Sequence, residues 1–504
     1  MSQRNTRARS SGAILANGRI TIRVLVIIVA ILMILEFNPN VIGAQSNTKT
    51  PIKHLIILMM ENHSFDNIFG QYGRTSLGNI ASNVTIPLNL ISRPFSQKLY
   101  PVSSGNFSTA DPYEGYYNYH RDWNNGSMNG FPEGSGPNSL YYFTANQMGL
   151  EWAISQNYAM GDMYFSSTLS ETLPNRLLSL AGYSPVTQDQ PSPPPYIPYN
   201  QTIFSELDTY GVSWAYYTRN PSEYTVPLNF ISGINQMQSK LRSWQDFEDS
   251  LLNGTLPSVS WVSPIGGGAR YFSQHPPDNI LIGEIWLFNI IEMVMKSDLW
   301  NSSAIFVTYD EGGGYYDQVS PPTLGGTQLG FRVPFIVISP YAKEDYVSHT
   351  IMSHTSILGF IDYNWKMLPL NSLVAKSSIP LDVFNFNSVY QDGHIIRGPY
   401  RFNPSFQKFL TNGLDFNVSI AERFHDIGYL FPSNFQYSPS SLEYPLQGES
   451  HFNLSQVTNS TYEHRGKSLQ FGTDSIMFFS AIGVVVTGTL LYTYFRRHNH
   501  GRRR

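Results

Sequence analysis

The stretch IKHLIILMMENHSFDNIFG, residues 52–70, decides the fold. Its first half contains HLIILMM at 54–60, a continuous apolar run that is typical of a strand buried on both faces of a sheet. The run ends abruptly at Glu61, Asn62 and His63. Because ligands of α/β sheets bind beyond the carboxyl ends of the strands, these polar residues are candidates for a functional site.

The same kind of pattern continues along the chain. AIFVTYD at 304–310 and VPFIVISP at 333–340 are typical of further buried strands, and ILIGEIWLFNIIEMVMKS at 280–297 has the spacing of a helix. Together these segments predict an α/β fold with a mostly parallel central sheet flanked by helices. The composition fits a large core, since 41% of the 504 residues are hydrophobic.

Acidic residues at two strand ends predict a metal site. Asp310 and Glu311 stand at the end of one strand, as Glu61 and Asn62 do at the end of another. Carboxylate and amide oxygens suit a divalent cation, whose identity the sequence does not set, and neighbouring carboxylates repel each other without one. The residues alone also allow each pair to be a solvated turn or a helix cap.

A helix start lies between these strands, in SETLPNRLLSLAG at 170–182. Pro174 marks the first turn, so Thr172 presents its hydroxyl near a helix N-terminus, where backbone N–H groups favour an anion such as phosphate. The alternative is that Thr172 serves only as an N-cap or turn residue.

Four segments in a fixed order carry a family resemblance: ILMMENHSFDNIFG, SETLPNRLLSLAG, FVTYDEGGGYYDQVSPP, and GFRVPFIVISPYA followed by SHTSILGFI. Together they resemble the phosphoesterase family of bacterial phosphocholine-type phospholipases C and a related acid phosphatase, within the alkaline phosphatase-like superfamily. The resemblance covers roughly residues 52–365. It implies an alkaline phosphatase-like fold and hydrolysis of phosphate esters.

The resemblance also implies roles for individual residues. Thr172 occupies the position of the nucleophile, which would become a transient phosphothreonine. The metal that activates this hydroxyl would be bound by Glu61, Asn62, Thr172, Asp310 and Glu311. These roles are chemically coherent, because a threonine hydroxyl needs a metal or a base to act as a nucleophile near neutral pH.

Three histidines lie in family-like segments. His120 in YNYHRDWNNGSMNGF, His275 in FSQHPPDN and His354 in SHTSILGF resemble positions whose histidines contact phosphate or protonate the leaving group. Each has the alternative of a hydrogen-bonded histidine in a turn or core. The chain departs from many relatives at Gly312 and Gln318, where histidine is frequent, so its activity or substrate is expected to differ.

The two ends of the chain predict a membrane-attached protein. Residues 1–44 combine scattered arginines with an apolar run and predict a signal peptide or an uncleaved anchor. Residues 475–495 carry no charge and precede an arginine-rich tail at 496–504, which predicts a transmembrane helix with a cytoplasmic tail. Between them we expect a phosphoesterase domain at 50–430 and a stalk rich in Ser, Asn and Pro at 431–472.

Composition supports a location at the cell surface. The chain has no cysteine, and its formal net charge is -4 with scattered bases, which argues against a nucleic-acid partner. N-x-S/T sequons predict glycosylation at Asn83, Asn106, Asn125, Asn200, Asn253, Asn301, Asn417, Asn453 and Asn459. Asn62 also fits the sequon pattern, but as a metal ligand it is predicted to carry no glycan.

Two functional hypotheses follow. The first is a membrane-anchored extracellular, metal-dependent phosphoesterase acting on a phospholipid headgroup or on a soluble phosphate monoester; the sequence does not choose between these substrates. The second is a non-catalytic, glycosylated cell-surface protein that retains the fold. The missing histidines favour the second hypothesis, whereas the complete set of predicted nucleophile and metal ligands favours the first. The oligomeric state is not set by the sequence.

Overall fold

The structure is a computed structural model. It describes residues 48–395, except 77, 80–82, 87–94, 103–106, 146, 190–195, 223–226, 266–271, 388–389 and 392–393. The predicted signal or anchor segment, the stalk, the segment at 475–495 and the tail lie outside the described residues.

An eight-stranded sheet forms the centre of the fold. In chain order its strands are β1 His54–Met60, β2 Ala159–Gly161, β3 Trp214–Thr218, β4 Leu241–Ser243, β5 Val259–Val262, β6 Ser303–Tyr309, β7 Phe335–Ile338 and β8 Tyr346–Ser348. Their order across the sheet is β4-β3-β5-β1-β6-β7-β2-β8.

The sheet is mostly parallel, as the apolar runs predict, but one strand reverses. β1 pairs in parallel with both β5 and β6, whereas β7 runs antiparallel to β6 and to β2. The run at 333–340 is therefore a buried strand, as expected, within a mixed sheet. β1 sits between two strands, and its residues from Leu55 onward are all buried, which explains why its sequence is uniformly apolar.

Helices flank the central sheet. They are α1 Phe65–Phe69, α2 Tyr116–Trp123, α3 Phe131–Gly134, α4 Gly149–Asn157, α5 Thr172–Ala181, α6 Ile203–Thr209, α7 Trp244–Leu252, α8 Ile280–Lys296 and α9 His354–Asn364. The helix predicted at 280–297 is α8, and every one of its residues is buried. A helix that is buried on every side belongs in the interior of a large domain.

Short elements complete the described part. Two-stranded pairings join Asn83–Ile86 with Phe95–Lys98, Tyr100–Pro101 with Tyr141–Tyr142, Tyr164–Phe165 with Met352–Ser353, Ile197–Pro198 with Ile231–Ser232, Thr323–Leu324 with Thr327–Gln328, and Tyr390–Gln391 with His394–Ile395. Short 3-10 turns lie at Asn124–Gly126, Pro137–Leu140, Tyr199–Gln201, Leu228–Phe230, Ile234–Gln236, Gln238–Lys240, Trp300–Ser302 and Val374–Lys376.

Among the described residues, no helix has the length and apolar character needed to cross a membrane. The segment predicted to span the membrane, 475–495, is not part of this statement because it lies outside the described residues.

Candidate active site

The carboxyl ends of β1 and β6 bring the two predicted acidic pairs together. Met60 lies opposite Tyr309 in the parallel register, so Glu61 and Asp310 leave the sheet side by side. The N–H of Asp310 donates to Met60 O at 3.1 Å, and the N–H of Asn62 donates to Asp310 Oδ1 at 3.2 Å. The alternative of two separate solvated turns is wrong, because all of these side chains are buried.

Asn62 has an unusual backbone conformation. Its φ is 62°, in the left-handed region that non-glycine residues rarely adopt. Gly313 approaches it so closely that a Cβ on Gly313 would lie 2.0 Å from Asn62 O. The glycine run after Glu311 therefore lets the two strand-end loops meet, and backbone strain of this kind concentrates at functional sites.

Arg176 is a buried cation at the centre of the acidic cluster. Its Nε donates to Asp310 Oδ2 at 2.8 Å, and its Nη2 lies 3.9 Å from Glu61 Oε1. Nη2 also donates to Met60 O at 3.1 Å. The arginine thus ties helix α5 to the end of β1 and fixes the orientation of Asp310.

Several buried oxygen atoms of the cluster have no hydrogen-bond partner. They are Glu61 Oε2, Asn62 Oδ1 and Glu311 Oε1, on three residues that are each at most 6% exposed. Leaving a buried polar atom without a partner costs about 1–3 kcal/mol, so three such atoms in neighbouring residues favour the binding of a positively charged ligand. The donors fit a hard divalent cation, which prefers carboxylate and amide oxygens.

The charges of the cluster also favour a bound cation. When ionised, Glu61, Asp310 and Glu311 carry three negative charges, of which Arg176 offsets one. Burial raises the pKa of Glu61, although the Arg176 guanidinium opposes the shift. Burial raises the pKa of Glu311 well above its usual range, and nearby Glu114 and Asp310 raise it further. A divalent cation would neutralise the remaining charge and keep these carboxylates ionised.

Thr172 is the first residue of α5, as the sequence predicts, and Glu171 is the N-cap. The alternative that Thr172 itself is the N-cap is wrong. Thr172 stands four residues before Arg176, so both lie on one face of the helix. Because Arg176 reaches Asp310 and Glu61, that face is turned toward the acidic cluster.

An acidic side chain already occupies part of this helix terminus. The N–H of Leu173 donates to Asp189 Oδ1 at 2.8 Å, and the N–H of Asp189 donates to Glu171 Oε2 at 2.6 Å. A phosphate placed by the helix terminus alone, as the sequence suggests, would compete with Asp189. The acidic cluster is therefore the stronger element of the site.

His275 is the predicted histidine that directly joins the cluster. Its Nε2 lies 3.2 Å from Asn62 Nδ2 and 3.8 Å from Glu114 Oε1. Glu114 also accepts a short hydrogen bond from Asn62 Nδ2. Asp111, Glu114 and His275 place one ligand atom each within 4.8 Å of one another.

The other two predicted histidines lie apart from this group. His354 is fully buried, and its Nε2 donates to Tyr309 O at 2.8 Å while Nδ1 has no partner. Burial lowers the pKa of His354 to about 4, so it is neutral near pH 7 and a poor proton donor. His120, on α2, donates from Nδ1 to Tyr116 O at 2.7 Å, and its ring packs at a tilt against the Tyr116 ring. Within the described contacts, His120 makes no hydrogen bond to another predicted site residue.

The positions that depart from the resemblance have structural surroundings. A Cβ on Gly312 would lie 3.3 Å from Phe331 Cβ, so the neighbouring phenylalanine would have to shift slightly to admit it. The N–H of Gln318 donates to Asp66 Oδ2 at 2.8 Å. His63 is buried and bonds to Asn67 Oδ1 and Gln274 O, so it supports the loop that carries His275.

Sequence reasoning missed Arg176, Glu114, Asp111 and Asp189. Arg176 had a signal, since it follows Thr172 at helical spacing within the motif already singled out. Glu114 and Asp111 had none, because an acid in a tyrosine-rich loop is an ordinary surface feature until a distant loop packs against it.

A buried, oxygen-rich cluster at the carboxyl edge of an α/β sheet is suited to hold the divalent cation of a metal-dependent hydrolase. Residues 52–368 match the model of the Phosphoesterase family, so the chain belongs to that family.

Named relatives agree with this class. Phospholipase C B of Mycobacterium tuberculosis is 27% identical over 383 residues, which cover 62% of this chain and 73% of that protein. Non-specific phospholipase C1 of Arabidopsis thaliana is 26% identical over 348 residues, which cover 59% of this chain and 62% of that protein. The protein is therefore a hydrolase that acts on phosphoric ester bonds.

Among solved structures, the chain is similar to a protein of the alkaline phosphatase superfamily from Vibrio parahaemolyticus. The two share 10% sequence identity with a TM-score of 0.32, and the match covers 78% of this chain and 93% of the other.

Proposed function

We propose that the protein is a metal-dependent phospholipase C that hydrolyses a phospholipid phosphodiester through Thr172. The observation that carries the proposal is the group of unpartnered, buried oxygen atoms on Glu61, Asn62 and Glu311. They belong to the cluster that Arg176 contacts from the helix that begins at Thr172. The relatives named as phospholipases C support the choice of a lipid diester over a soluble monoester.

The site residues have two proposed roles, cation binding and the positioning of the cation ligands. Glu61, Asn62, Asp310 and Glu311 would hold the cation, together with Thr172. When bound, the cation supplies a lowered hydroxyl pKa and neutralises charge on phosphoryl oxygens. Arg176 holds Asp310 and Glu61 in place through its ion pairs.

The reaction proceeds in two displacements on Thr172. Its Oγ1 forms a bond to phosphorus, the ester bond to the lipid glycerol breaks, and the glycerol oxygen takes up a proton. Water then attacks the phosphothreonine diester, which releases the phosphorylated headgroup and restores the hydroxyl. His275 and His120 are the candidates to move these protons, and His275 is the one in contact with Asn62.

Membrane attachment belongs to the same proposal. The uncharged segment 475–495 with its arginine-rich flank, and the sequons on exposed residues such as Asn200 and Asn301, support a protein whose catalytic domain faces outward. Such an anchor would hold the site near a lipid surface, where the substrate is concentrated.

The test is hydrolysis by the full-length chain after metal stripping and re-addition of single divalent ions. A phosphocholine diester is compared with an aryl phosphate monoester. We expect metal-dependent turnover of the diester, reduced by about 10⁴-fold or more in Thr172→Val, because nucleophile replacements in hydrolases have effects of that order. The matched control is Thr209→Val on α6, whose hydroxyl donates to Ser205 O.

Three results would contradict the proposal. Full turnover in Thr172→Val would remove the nucleophile. A clear preference for the monoester would make the protein a phosphatase. No turnover of either ester with any ion, from folded protein, would favour the non-catalytic surface protein.

A further inference from the structure

We propose that Gln274 positions the imidazole of His275 in the active site by anchoring the preceding loop in the protein core. The inference deepens the proposed function and rests on it, because His275 is there a candidate to move protons. Among the described contacts, the side chain of Gln274 makes no hydrogen bond to a proposed cation ligand. Gln274 is therefore a positioning residue that acts through His275.

The backbone of Gln274 has a conformation that glutamine rarely adopts. Its φ is 70°, in the left-handed region. Such a conformation persists only where the surrounding contacts hold it. On one side the N–H of Glu61 donates to Ser273 O at 3.0 Å, and His63 Nε2 donates to Gln274 O at 2.9 Å. These contacts fix the direction in which the chain continues toward His275.

The side chain of Gln274 is fully buried and uses both ends of its amide. Its Oε1 accepts a hydrogen bond from the hydroxyl of Tyr309 at the end of β6, and its Nε2 donates to Ile280 O at the start of α8, at 3.3 Å. Gly283 makes room for the side chain, because a Cβ there would lie 2.2 Å from Gln274 Cγ. The amide thus ties the loop to a strand and to a helix of the core.

Glu151 orients the hydroxyl of Tyr309 toward Gln274. That hydroxyl makes hydrogen-bond contacts with both Glu151 Oε1 and Gln274 Oε1. It carries one proton and the amide oxygen carries none, so both contacts are satisfied when a protonated Glu151 donates to Tyr309. Burial raises the pKa of Glu151, which agrees with this direction. Tyr309 then donates to Gln274 and selects the end of the amide that faces the strand.

The anchor lies one residue before the imidazole that it would position. His275 Nε2 lies 3.2 Å from Asn62 Nδ2, and the N–H of Asp278 donates to His275 O at 2.9 Å. A group that transfers a proton must lie within hydrogen-bond reach of its partner, so a shift of this loop would slow the reaction. The competing explanation is that Gln274 only stabilises the fold.

The experiment is a double-mutant cycle on the full-length chain, with kcat and KM measured for the phosphocholine diester in the divalent ion that supports most turnover. Wild type is compared with Gln274→Met, His275→Ala and the double variant. Methionine keeps the length of the side chain and removes both hydrogen bonds. The matched control is Gln147→Met, at another buried glutamine, whose Oε1 accepts from Thr144 N and Thr144 Oγ1. Thermal melting shows whether each variant is folded.

We expect Gln274→Met to lower kcat by about 10-fold or more and to change KM by less than about 2-fold, because the imidazole is misplaced while substrate binding is kept. In the His275→Ala background, the same substitution should change kcat by less than about 2-fold, since no imidazole remains to be positioned. Gln147→Met should keep the wild-type kcat. Equal losses of kcat in the two backgrounds, or a wild-type kcat in Gln274→Met, would overturn the proposal.

A second variant reaches Gln274 without removing its amide. The methyl group of Gly283→Ala would displace the Gln274 side chain, and this variant should show the same dependence on His275 even if Gln274→Met does not fold. A loss of kcat in Gly283→Ala that is independent of His275 would count against the proposal.

Crystal structures of the folded variants separate this inference from the proposed function. We expect His275 Nε2 to move beyond hydrogen-bond reach of Asn62 Nδ2 when Gln274 is replaced or displaced. An unmoved imidazole would overturn the inference even if the wild-type protein hydrolyses no diester. Full turnover by both wild type and Gln274→Met would leave the proposed function standing alone.

Discussion

Two buried charge clusters follow the same pair of strands, and they differ in how their oxygens are satisfied. The first holds Glu61, Asn62, Asp310 and Glu311 around Arg176. The second holds Asp66 and Asp317 around Arg332, which donates to Asp317 Oδ1 and to Asp66 Oδ1, each at 2.9 Å. The acids of both clusters follow β1 or β6 in the chain, and both clusters are almost completely buried.

The second cluster is complete in itself. Asp66 Oδ2 also accepts from Gln318 N at 2.8 Å, and Asp317 accepts from Val319 N at 2.9 Å. None of its side-chain atoms lacks a partner, whereas three oxygens of the first cluster do. Burial raises the pKa of acids in both clusters, so the pKa does not separate them. The clusters differ in hydrogen bonding: the second is satisfied by its own contacts, whereas the first has oxygen atoms left to bind a cation.

The largest expected effect is on diester turnover, and it is tested by replacing one acid in each cluster with its amide. Glu311 and Asp317 both follow β6 and both are fully buried. Glu311→Gln should lower diester turnover by roughly 10³-fold or more, because a ligand to the activating cation is lost, with little change in metal-free stability. Asp317→Asn should lower the unfolding free energy and leave metal affinity unchanged.

Kinetics, metal titration and urea unfolding of both variants test this contrast. Equal loss of metal affinity in the two variants would show that the clusters act as one site, and the comparison would then fail.

The second largest effect is expected on the free energy of unfolding alone, at Arg332. Arg332→Met removes the cation of the complete cluster and leaves Asp66 and Asp317 buried without a partner charge. We expect the free energy of unfolding to fall by about 3 kcal/mol or more, as for other buried pairs that lose one member. Urea denaturation measures the change, and Arg74→Met at an exposed ion pair is the matched control. A loss below about 1 kcal/mol, typical of a surface pair, would contradict the structural role.

A third pair of acids tests whether unpartnered oxygens always mean a missing cation. Glu206 and Asp362 also carry buried oxygens without partners, but no arginine or lysine is ion-paired with either residue among the described contacts. Burial raises their pKa values to about 7 and about 8. We interpret this pair as protonated carboxyl groups rather than as a metal site.

The sign of the pH effect follows from those values. The folded state binds more protons than the unfolded state between the ordinary acid pKa and about 8, so stability is greatest at low pH and falls as pH rises through that range. Between pH 6 and 9, the unfolding free energy of the wild-type protein should fall by roughly 2 kcal/mol more than that of Asp362→Asn. Glu344→Gln, at an exposed position, is the control. Unfolding curves of Asp362→Asn that keep the wild-type pH dependence would refute this interpretation.

The smallest expected effect compares the site asparagine with surface asparagines. Asn62 is fully buried, whereas Asn125, Asn200, Asn253 and Asn301 are exposed. If the chain is exported in a glycosylating cell, glycans should appear at the exposed sequons and not at Asn62. Glycopeptide mass spectrometry measures occupancy, and a glycan on Asn62 would remove it from the metal site.

The sequence predicted the parts of the molecule that depend on local pattern. The apolar runs identified β1, β6 and α8, and Pro174 identified the start of α5. The direction of β7 was not predictable, because a run buried on both faces has the same composition whichever way it points. The pairing of Asn62 with Glu114 was not predictable either, since it depends on how loops far apart in the chain pack together.

The central claim is that the unpartnered oxygens of Glu61, Asn62 and Glu311 hold a divalent cation beside Thr172. Anomalous diffraction from crystals of the protein soaked in Mn²⁺ tests it most directly, because the signal locates the ion among named residues. The account predicts a peak bounded by Glu61, Asn62, Asp310 and Glu311. Ordered crystals with no peak there would contradict it, whether Mn²⁺ binds elsewhere or not at all.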